Sequence, residues 1–109
     1  MASEVLKVAI KNACSNTEVK LIDGASGKTY VILSITICET AGAAETFNLY
    51  VDDDDGGTDH YIYHTQALGA NETFEHTGRI VLEANDMLGF ITGSSADVDV
   101  VVSYLDQTL

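Results

Sequence analysis

The chain has 109 residues, of which 46% are hydrophobic, and a formal net charge of −12. This length and hydrophobicity are typical of a single folded domain, predicted to span residues 1–109, and they exclude an intrinsically disordered tail. The acidic charge disfavours direct nucleic-acid binding, no apolar run is long enough to cross a bilayer, and the first residues lack the basic and apolar regions of a secretory signal.

The first 28 residues differ in charge from the rest of the chain. They contain four lysines and three acidic residues, whereas residues 29–109 contain one arginine and 14 acidic residues. Residues 1–12 are predicted to form an N-terminal arm or an edge strand. The uneven charge favours two surfaces with different roles, although a large net charge also serves simply to keep chains apart in solution.

Alternation of apolar and polar residues predicts about eight or nine short strands. The clearest one spans residues 29–39, where Val31, Leu33, Ile35 and Ile37 are predicted to share one face. The other predicted strands span residues 6–10, 19–22, 46–51, 60–65, 72–76, 80–82, 88–91 and 98–105.

The connections between these strands determine the predicted fold. Parallel strands need a crossover of a dozen or more residues, usually helical, and no segment offers one. The chain has no proline, so its turns rely on glycine, asparagine, aspartate and serine. We therefore predict an all-β fold, an antiparallel β-sandwich of jelly-roll type.

Two cysteines, Cys14 and Cys38, are the first candidates for chemistry. Their spacing fits no CxxC metal or redox motif. We interpret them as small buried or half-buried thiols. A disulfide between them would require adjacent strands, which the sequence leaves open.

An acidic run at residues 52–55 is the candidate for a metal site, because clustered carboxylates bind Ca²⁺ through their oxygens. If Asp52 is the first position of an EF-hand loop, the twelfth position is Tyr63, where glutamate is required. A solvated loop is therefore the preferred interpretation, with a weak Ca²⁺ site as the alternative.

The histidines offer a second metal hypothesis. His60 and His64 are predicted to face the same side of a strand, but their Cα atoms would lie about 13 Å apart, too far to bind one ion. A zinc site would require His76 to approach from elsewhere in the fold. Surface histidines that add pH sensitivity are the preferred interpretation, and we predict no metal and no other cofactor.

Catalytic motifs are missing from the sequence. There is no nucleophile elbow, no glycine-rich phosphate loop and no pair of residues marked as acid and base. Tyr61 and Tyr63 flank Ile62 and are expected to share one strand face, which suits contact with a protein or a sugar. For the tyrosines taken by themselves, ordinary cross-strand packing is the preferred interpretation. We expect a binding protein and not an enzyme.

Several segments resemble the small structural proteins of tailed bacteriophages. They are YVILSITICET at residues 30–40, TFNLYV at residues 46–51, QALGANET at residues 66–73 and GRIVLEANDML at residues 78–88, followed by a valine-rich strand. Members of this group often have a proline before the long strand, where this chain has residues 24–28. The resemblance implies a small β-sandwich that forms homo-oligomers, often trimers, on a symmetric surface, and it implies no catalytic residues.

The sequence therefore predicts a virion protein that decorates or cements the capsid surface after synthesis in the host cytoplasm. Its predicted partners are the major capsid protein or another virion protein, and further copies of itself, with neither nucleic acid nor membrane. Residues 1–28 would dock on an acidic capsid surface, and acidic loops would face solvent. The predicted partner-binding residues are Lys7, Lys11, Lys20, Lys28, Tyr61 and Tyr63.

Two alternatives belong to other locations or classes. The first is a structural component of the tail, neck or baseplate. The second is a carbohydrate-binding surface module that uses Tyr61, Tyr63 and nearby acidic residues.

Overall fold

The computed structural model describes residues 3–53 and 56–108, and these residues form nine strands. None of the described residues lies in a helix that could cross a membrane. The strands are β1 (Ser3–Cys14), β2 (Val19–Asp23), β3 (Lys28–Glu39), β4 (Glu45–Asp52), β5 (Asp59–Leu68), β6 (Thr73–His76), β7 (Ile80–Leu82), β8 (Met87–Thr92) and β9 (Val98–Thr108).

Two antiparallel sheets make up the fold. The first sheet has the strand order β1-β9-β3-β6, with β7 also paired to β3, and the second has the order β2-β8-β4-β5. This is the strand order of a jelly roll in which β6 and β7 together occupy one strand position. The predicted antiparallel β-sandwich of jelly-roll type is confirmed.

The core lies between the two sheets and is built from aromatic and branched side chains. Phe47 stacks on Phe90 with ring centroids 5.5 Å apart, and Phe74 of the first sheet meets Phe47 edge-on at 5.3 Å. Aliphatic side chains with no exposed surface surround these rings, which excludes water from the interior. They are Ile32, Ile35, Ile37, Leu49, Leu82, Leu88, Val98, Val100 and Val102.

A β-bulge at Leu33 changes which residues of β3 face the core. The residues on either side of Leu33 pair with successive residues of β9, so Leu33 has no partner of its own. Ile35 and Ile37, after the bulge, are buried in the core, whereas Val31 and Leu33 are only half-buried. The prediction that these four residues share one face was wrong, because the extra residue reverses the alternation.

Glu39, at the end of β3, fixes two connections at once. Its buried carboxylate accepts backbone N–H groups of Ala41 and Gly42 at 2.8 Å, and of Ala43 and Asn71 at 3.1 Å. These donors belong to the β3–β4 and β5–β6 connections. The hydrogen bonds, that of Asn71 above all, hold the pKa of Glu39 below its ordinary value.

Gly89 makes room for the ring of Tyr50 on the outer side of the second sheet. A Cβ atom at position 89 would lie 2.4 Å from a Tyr50 ring carbon. The ring is held in place because its hydroxyl donates a hydrogen bond to Glu18 and because Tyr61 packs edge-on against it at 5.8 Å. Burial, reinforced by this hydrogen bond, raises the pKa of Tyr50, so the hydroxyl stays a donor.

The close contact at Gly89 leads to a first prediction. We expect Gly89→Ala to lower the free energy of unfolding by about 1–3 kcal/mol, as overpacked sites do. Gly69→Ala is the matched control, because its Cβ would meet its nearest neighbour at an ordinary 3.6 Å. Urea denaturation measures both variants, and equal stability losses would contradict the assigned role of Tyr50.

Candidate interaction surface

The outer side of the first sheet bears a continuous set of apolar side chains. Leu6 of β1 lies beside Leu105 of β9, which lies beside Val31 of β3 and then Val81 of β7. Further apolar residues occupy the neighbouring rows of the same side. We call this surface the first-sheet face and define it as Leu6, Val8, Ile10, Val31, Leu33, Val81, Val101 and Leu105.

Much of this face is open to solvent. The exposed fraction is 74% for Leu6, 67% for Ile10, 56% for Val81 and 55% for Val8. Single exposed apolar residues are ordinary, but contiguous patches of several hundred Å² mark interaction sites. The first-sheet face exposes roughly 500 Å² of apolar surface, which is within that range.

The centre of the face has no ionised side chain. Between the rows of Leu6 and Ile10, the paired residues of β9 and β3 are apolar, serine or threonine. Charged residues pair only at its ends, where Glu4, Glu75 and Asp99 lie. In a chain of net charge −12 this is a local exception, and a partner could cover the face without desolvating a charge.

A groove of about 430 Å³ indents this region where β1 runs beside β9. Its lining combines the apolar side chains of Leu6, Val8 and Leu33 with the small side chain of Ser103. Such a depression next to protruding side chains allows an apolar group of a partner to insert. The residues that line the groove are Leu6, Lys7, Val8, Leu33, Ser103 and Tyr104.

Strand β1 is exposed on its free edge and on both of its faces. Among the described residues it pairs with β9 on one side and ends the first sheet on the other. Val5 alternates with Leu6 and so points to the core side, yet it is 50% exposed. Long exposed edge strands are templates for pairing with another chain.

The four predicted contact lysines lie on both sheets. Lys7 and Lys28 place their ammonium groups 2.7 and 3.1 Å from the buried carboxylate of Asp106, which joins β1, β3 and β9. These contacts, with the hydrogen bond from Lys7 as the largest cause, lower the pKa of Asp106. Lys11 is exposed on β1 and Lys20 is exposed on β2. The role of all four lysines in partner binding stays a prediction.

Tyr61 and Tyr63 point to opposite sides of the second sheet. Tyr61 pairs with Tyr50 and is 50% exposed on the outer side. A bulge at Ile62 turns Tyr63 inward, where its hydroxyl lies 2.8 Å from Nδ1 of His76. The expectation that both tyrosines share one face was wrong, and any sugar or protein contact on this side would use Tyr61.

The described part of the acidic run closes its own turn. Asp52 accepts the N–H of Gly56 at 3.1 Å, and Asp53 accepts that of Thr58 at 2.8 Å. Residues 54–55, which belong to the predicted Ca²⁺ loop, lie outside the described residues. Within residues 3–53 and 56–108, no group of His, Cys, Asp or Glu is arranged to hold a metal ion.

The histidines occupy three different surroundings. His60 lies 3.5 Å from the carboxylate of Asp53, and His64 packs edge-on against Tyr61 at 4.7 Å. His76 reaches the interior, where its Nε2 has no hydrogen-bond partner among the described residues. The fold does not gather these imidazoles into one site.

Both cysteines are free, and β9 separates their strands. Cys14 pairs with Val98 of β9, and Val98 pairs on its other side with Glu39, the neighbour of Cys38. Strands that flank a third strand lie about 9.5 Å apart, which exceeds the Cα separation of a disulfide. Burial raises the pKa of Cys14, so its thiol stays protonated and unreactive.

The first-sheet face could have been suspected from the sequence. The alternation of Leu6, Val8 and Ile10 and the valine run of β9 place apolar residues on a second side of two strands. Strands that are apolar on both sides are typical of sheets covered on both sides. In the described part of the single chain, the second sheet covers the core side of the first sheet, and the outer side stays uncovered.

The comparison of this chain with known proteins bears on the fold. No protein-family model and no curated protein sequence matches it. Several solved structures are similar to it in fold. A chain from the Bacillus endospore appendages, a family of disulfide-linked pili, is 11% identical with a TM-score of 0.56, over 98% of this chain and 87% of that chain.

Two other similar structures come from different sources. A chain of the acidic stable capsid of Helicobacter pylori bacteriophage KHP30 is 15% identical with a TM-score of 0.53, over 97% of this chain and 92% of that chain. The Drosophila NLP-core, studied for pentamer formation and histone binding, is 17% identical with a TM-score of 0.52, over 94% and 95%. These likenesses show a shared fold.

Proposed function

We propose that this chain is a structural protein of a bacteriophage virion, a decoration or cement protein that binds the assembled head shell and stabilises it. The proposal rests on the first-sheet face, an exposed and uncharged apolar surface on an otherwise acidic chain. The sequence resemblance to small phage structural proteins supports it. The fold likeness to chains of a phage capsid and of pili supports a structural role in an assembly.

Burial of the first-sheet face would supply the attraction. At about 25 cal/mol per Å², roughly 500 Å² of apolar surface corresponds to about 12 kcal/mol before the entropic costs of association. A protein that binds the assembled shell and not its separated subunits shifts the equilibrium towards the shell by mass action. Repeated binding over a symmetric lattice would strengthen the effect through avidity.

The charge of the rest of the chain suits this orientation. Asp97 is exposed at one end of the sandwich, and the second sheet places Asp53 and Asp59 at its surface. With the first-sheet face against the shell, these acidic groups would face solvent and oppose adhesion between particles. Lys11 on β1 is proposed as an additional contact at the margin of the first-sheet face, and the trimer implied by the resemblance is the proposed oligomer.

Binding to purified head shells that lack the chain tests this function. Val81→Lys places a charge on β7, at the side of the first-sheet face opposite β1, and we expect it to weaken binding at least tenfold because the ammonium group must be desolvated. Tyr61→Lys is the matched control, since Tyr61 is similarly exposed (50% against 56%) on the opposite side of the sandwich. It should bind as the unaltered chain does.

The reverse pattern would overturn the proposed surface. If Tyr61→Lys loses binding and Val81→Lys does not, the second sheet makes the contact. Labelling of the chain on tails or baseplates, and not on heads, would replace the head-shell role with the tail alternative.

A further inference from the structure

The free edge of strand β1 is complementary to the same edge of a second copy of the chain. We propose that β1 pairs antiparallel with β1 of a second copy of this chain, across a two-fold axis that passes through Val8. This pairing uses the edge of the first sheet and does not depend on binding to a head shell. It would cover the free edge of β1, which pairs with β9 on its other side.

The register centred on Val8 brings like surfaces together. On the first-sheet face, Val8 lies opposite Val8 of the second copy, and Leu6 lies opposite Ile10. On the other face, Lys7 lies opposite Ala9 and Val5 opposite Lys11. Each of the three apolar residues that β1 contributes to the first-sheet face thus meets an apolar partner, and such cross-strand pairs stabilise a sheet.

Neighbouring registers with the same symmetry are worse. An axis through Lys7 places two Lys7 ammonium groups opposite each other, and an axis through Ala9 places Lys7 opposite Lys11. Like charges directly opposite destabilise a strand pair. An axis through Leu6 places Val8 opposite Glu4, which would bury a carboxylate against an apolar residue. Charge and hydrophobicity therefore favour the register centred on Val8 over these three.

The local backbone sets the length of the pairing. Ala13 has a φ of 54°, and the register of β1 with β9 shifts between Lys11 and Cys14. This bulge ends the regular part of the strand, so pairing extends over residues 5–11 of each copy. Bulges commonly terminate strand pairing in this way.

Pairing would join two first sheets into one continuous sheet. The first-sheet faces of the two copies then merge into a single apolar surface with Leu6, Val8 and Ile10 of both copies at its centre. The contact satisfies the backbone groups along both free edges and adds cross-strand contacts between side chains. Because the two halves are the same strand, a second copy fits better than an unrelated peptide.

Disulfide trapping tests the register. Val8→Cys places the two new thiols next to each other, so mild oxidation should give a cross-linked dimer on a non-reducing gel. Ile10→Cys is the matched control, because its two thiols would lie about 13 Å apart along the strands. The unaltered chain, with Cys14 and Cys38 free, gives the background. We expect Val8→Cys to cross-link at least tenfold faster than Ile10→Cys.

Light scattering on the eluting protein tests the pairing itself. The unaltered chain should have the mass of two chains or an even multiple of it, which includes trimers joined in pairs. Val8→Lys should halve that mass while its circular dichroism spectrum stays that of a folded β protein. A monomer, an odd-numbered oligomer unchanged by Val8→Lys, or equal cross-linking of Val8→Cys and Ile10→Cys would overturn the proposal.

The two proposals can fail separately. Loss of shell binding in Val81→Lys concerns the β7 side of the first-sheet face, whereas loss of the dimer in Val8→Lys concerns the β1 edge. A chain that dimerises but does not bind head shells would refute the proposed function and leave the proposed β1 pairing intact.

Discussion

Replacement of Phe47 by alanine should lower the free energy of unfolding by about 3–5 kcal/mol, the range of large-to-small changes in closed cores. Phe47 is 1% exposed and lies where the two sheets meet. It stacks on Phe90 of its own sheet and meets Phe74 of the opposite sheet, with centroids 5.5 and 5.3 Å away. Truncation would therefore leave a cavity that neither sheet can close without moving.

Urea denaturation followed by circular dichroism measures this loss. Tyr61→Ala is the control, because Tyr61 is also aromatic but half-exposed on the outer side of the second sheet. We expect it to change the free energy of unfolding by less than about 1 kcal/mol. A Phe47→Ala variant as stable as Tyr61→Ala would mean that the sheets do not pack through Phe47.

Glu39→Gln should lower the melting temperature by about 10 °C. The two carboxylate oxygens of Glu39 now accept four backbone N–H groups, whereas glutamine has only one side-chain oxygen to accept them. Oε2 accepts the N–H of Ala41, and Oε1 accepts those of Gly42, Ala43 and Asn71. The side-chain NH2 group of glutamine would then face a backbone N–H group, and since both are donors they form no hydrogen bond. The β3–β4 and β5–β6 connections should become more sensitive to protease together, since one carboxylate holds both.

Glu75→Gln is the matched control for charge and residue type, since Glu75 is exposed on β6. It should leave the melting temperature within about 2 °C of that of the unaltered chain. If both variants lose equal stability, the effect belongs to net charge and not to the hydrogen bonds of Glu39.

The same carboxylate predicts how stability depends on pH. The folded pKa of Glu39 lies below its ordinary value of 4.5, so the unfolded chain binds the proton more tightly. The stabilisation is therefore complete above about pH 5 and is lost as the pH falls below 4.5 towards the folded pKa. Asp106, whose pKa is lowered by Lys7 and Lys28, adds to the loss at slightly lower pH. In Glu39→Gln, acid unfolding monitored by fluorescence should be shallower over this range.

The fold could be predicted from the sequence because each strand has its own local alternation of apolar and polar residues. The valines at 98, 100 and 102 alternate without interruption, and all three are buried as the alternation predicts. The short connections exclude parallel crossovers, which leaves an antiparallel sandwich. Both inferences use information within about ten residues.

The bulges could not be predicted in the same way. Leu33 and Ile62 are ordinary strand residues, and nothing in their neighbourhood marks an extra residue. Yet the first reverses the face of Val31, and the second separates Tyr61 from Tyr63. A bulge depends on how the partner strand is aligned, which is a property of the tertiary fold.

The candidate surface was only partly predictable for a related reason. The sequence draws attention to lysines, but Lys7 and Lys28 are paired with Asp106, which is 99 and 78 residues away along the chain. Long-range ion pairs leave no local pattern. The apolar residues of β1 are visible in the sequence, but their exposure follows from the position of β1 at the edge of the first sheet.

Cryo-electron microscopy of head shells bound to the chain tests the central claim most directly. We expect the first-sheet face to lie against the shell, with Val81 and Val101 buried and Tyr61 facing solvent. A map in which the chain contacts the shell through its second sheet, with the first-sheet face open to water, would contradict it.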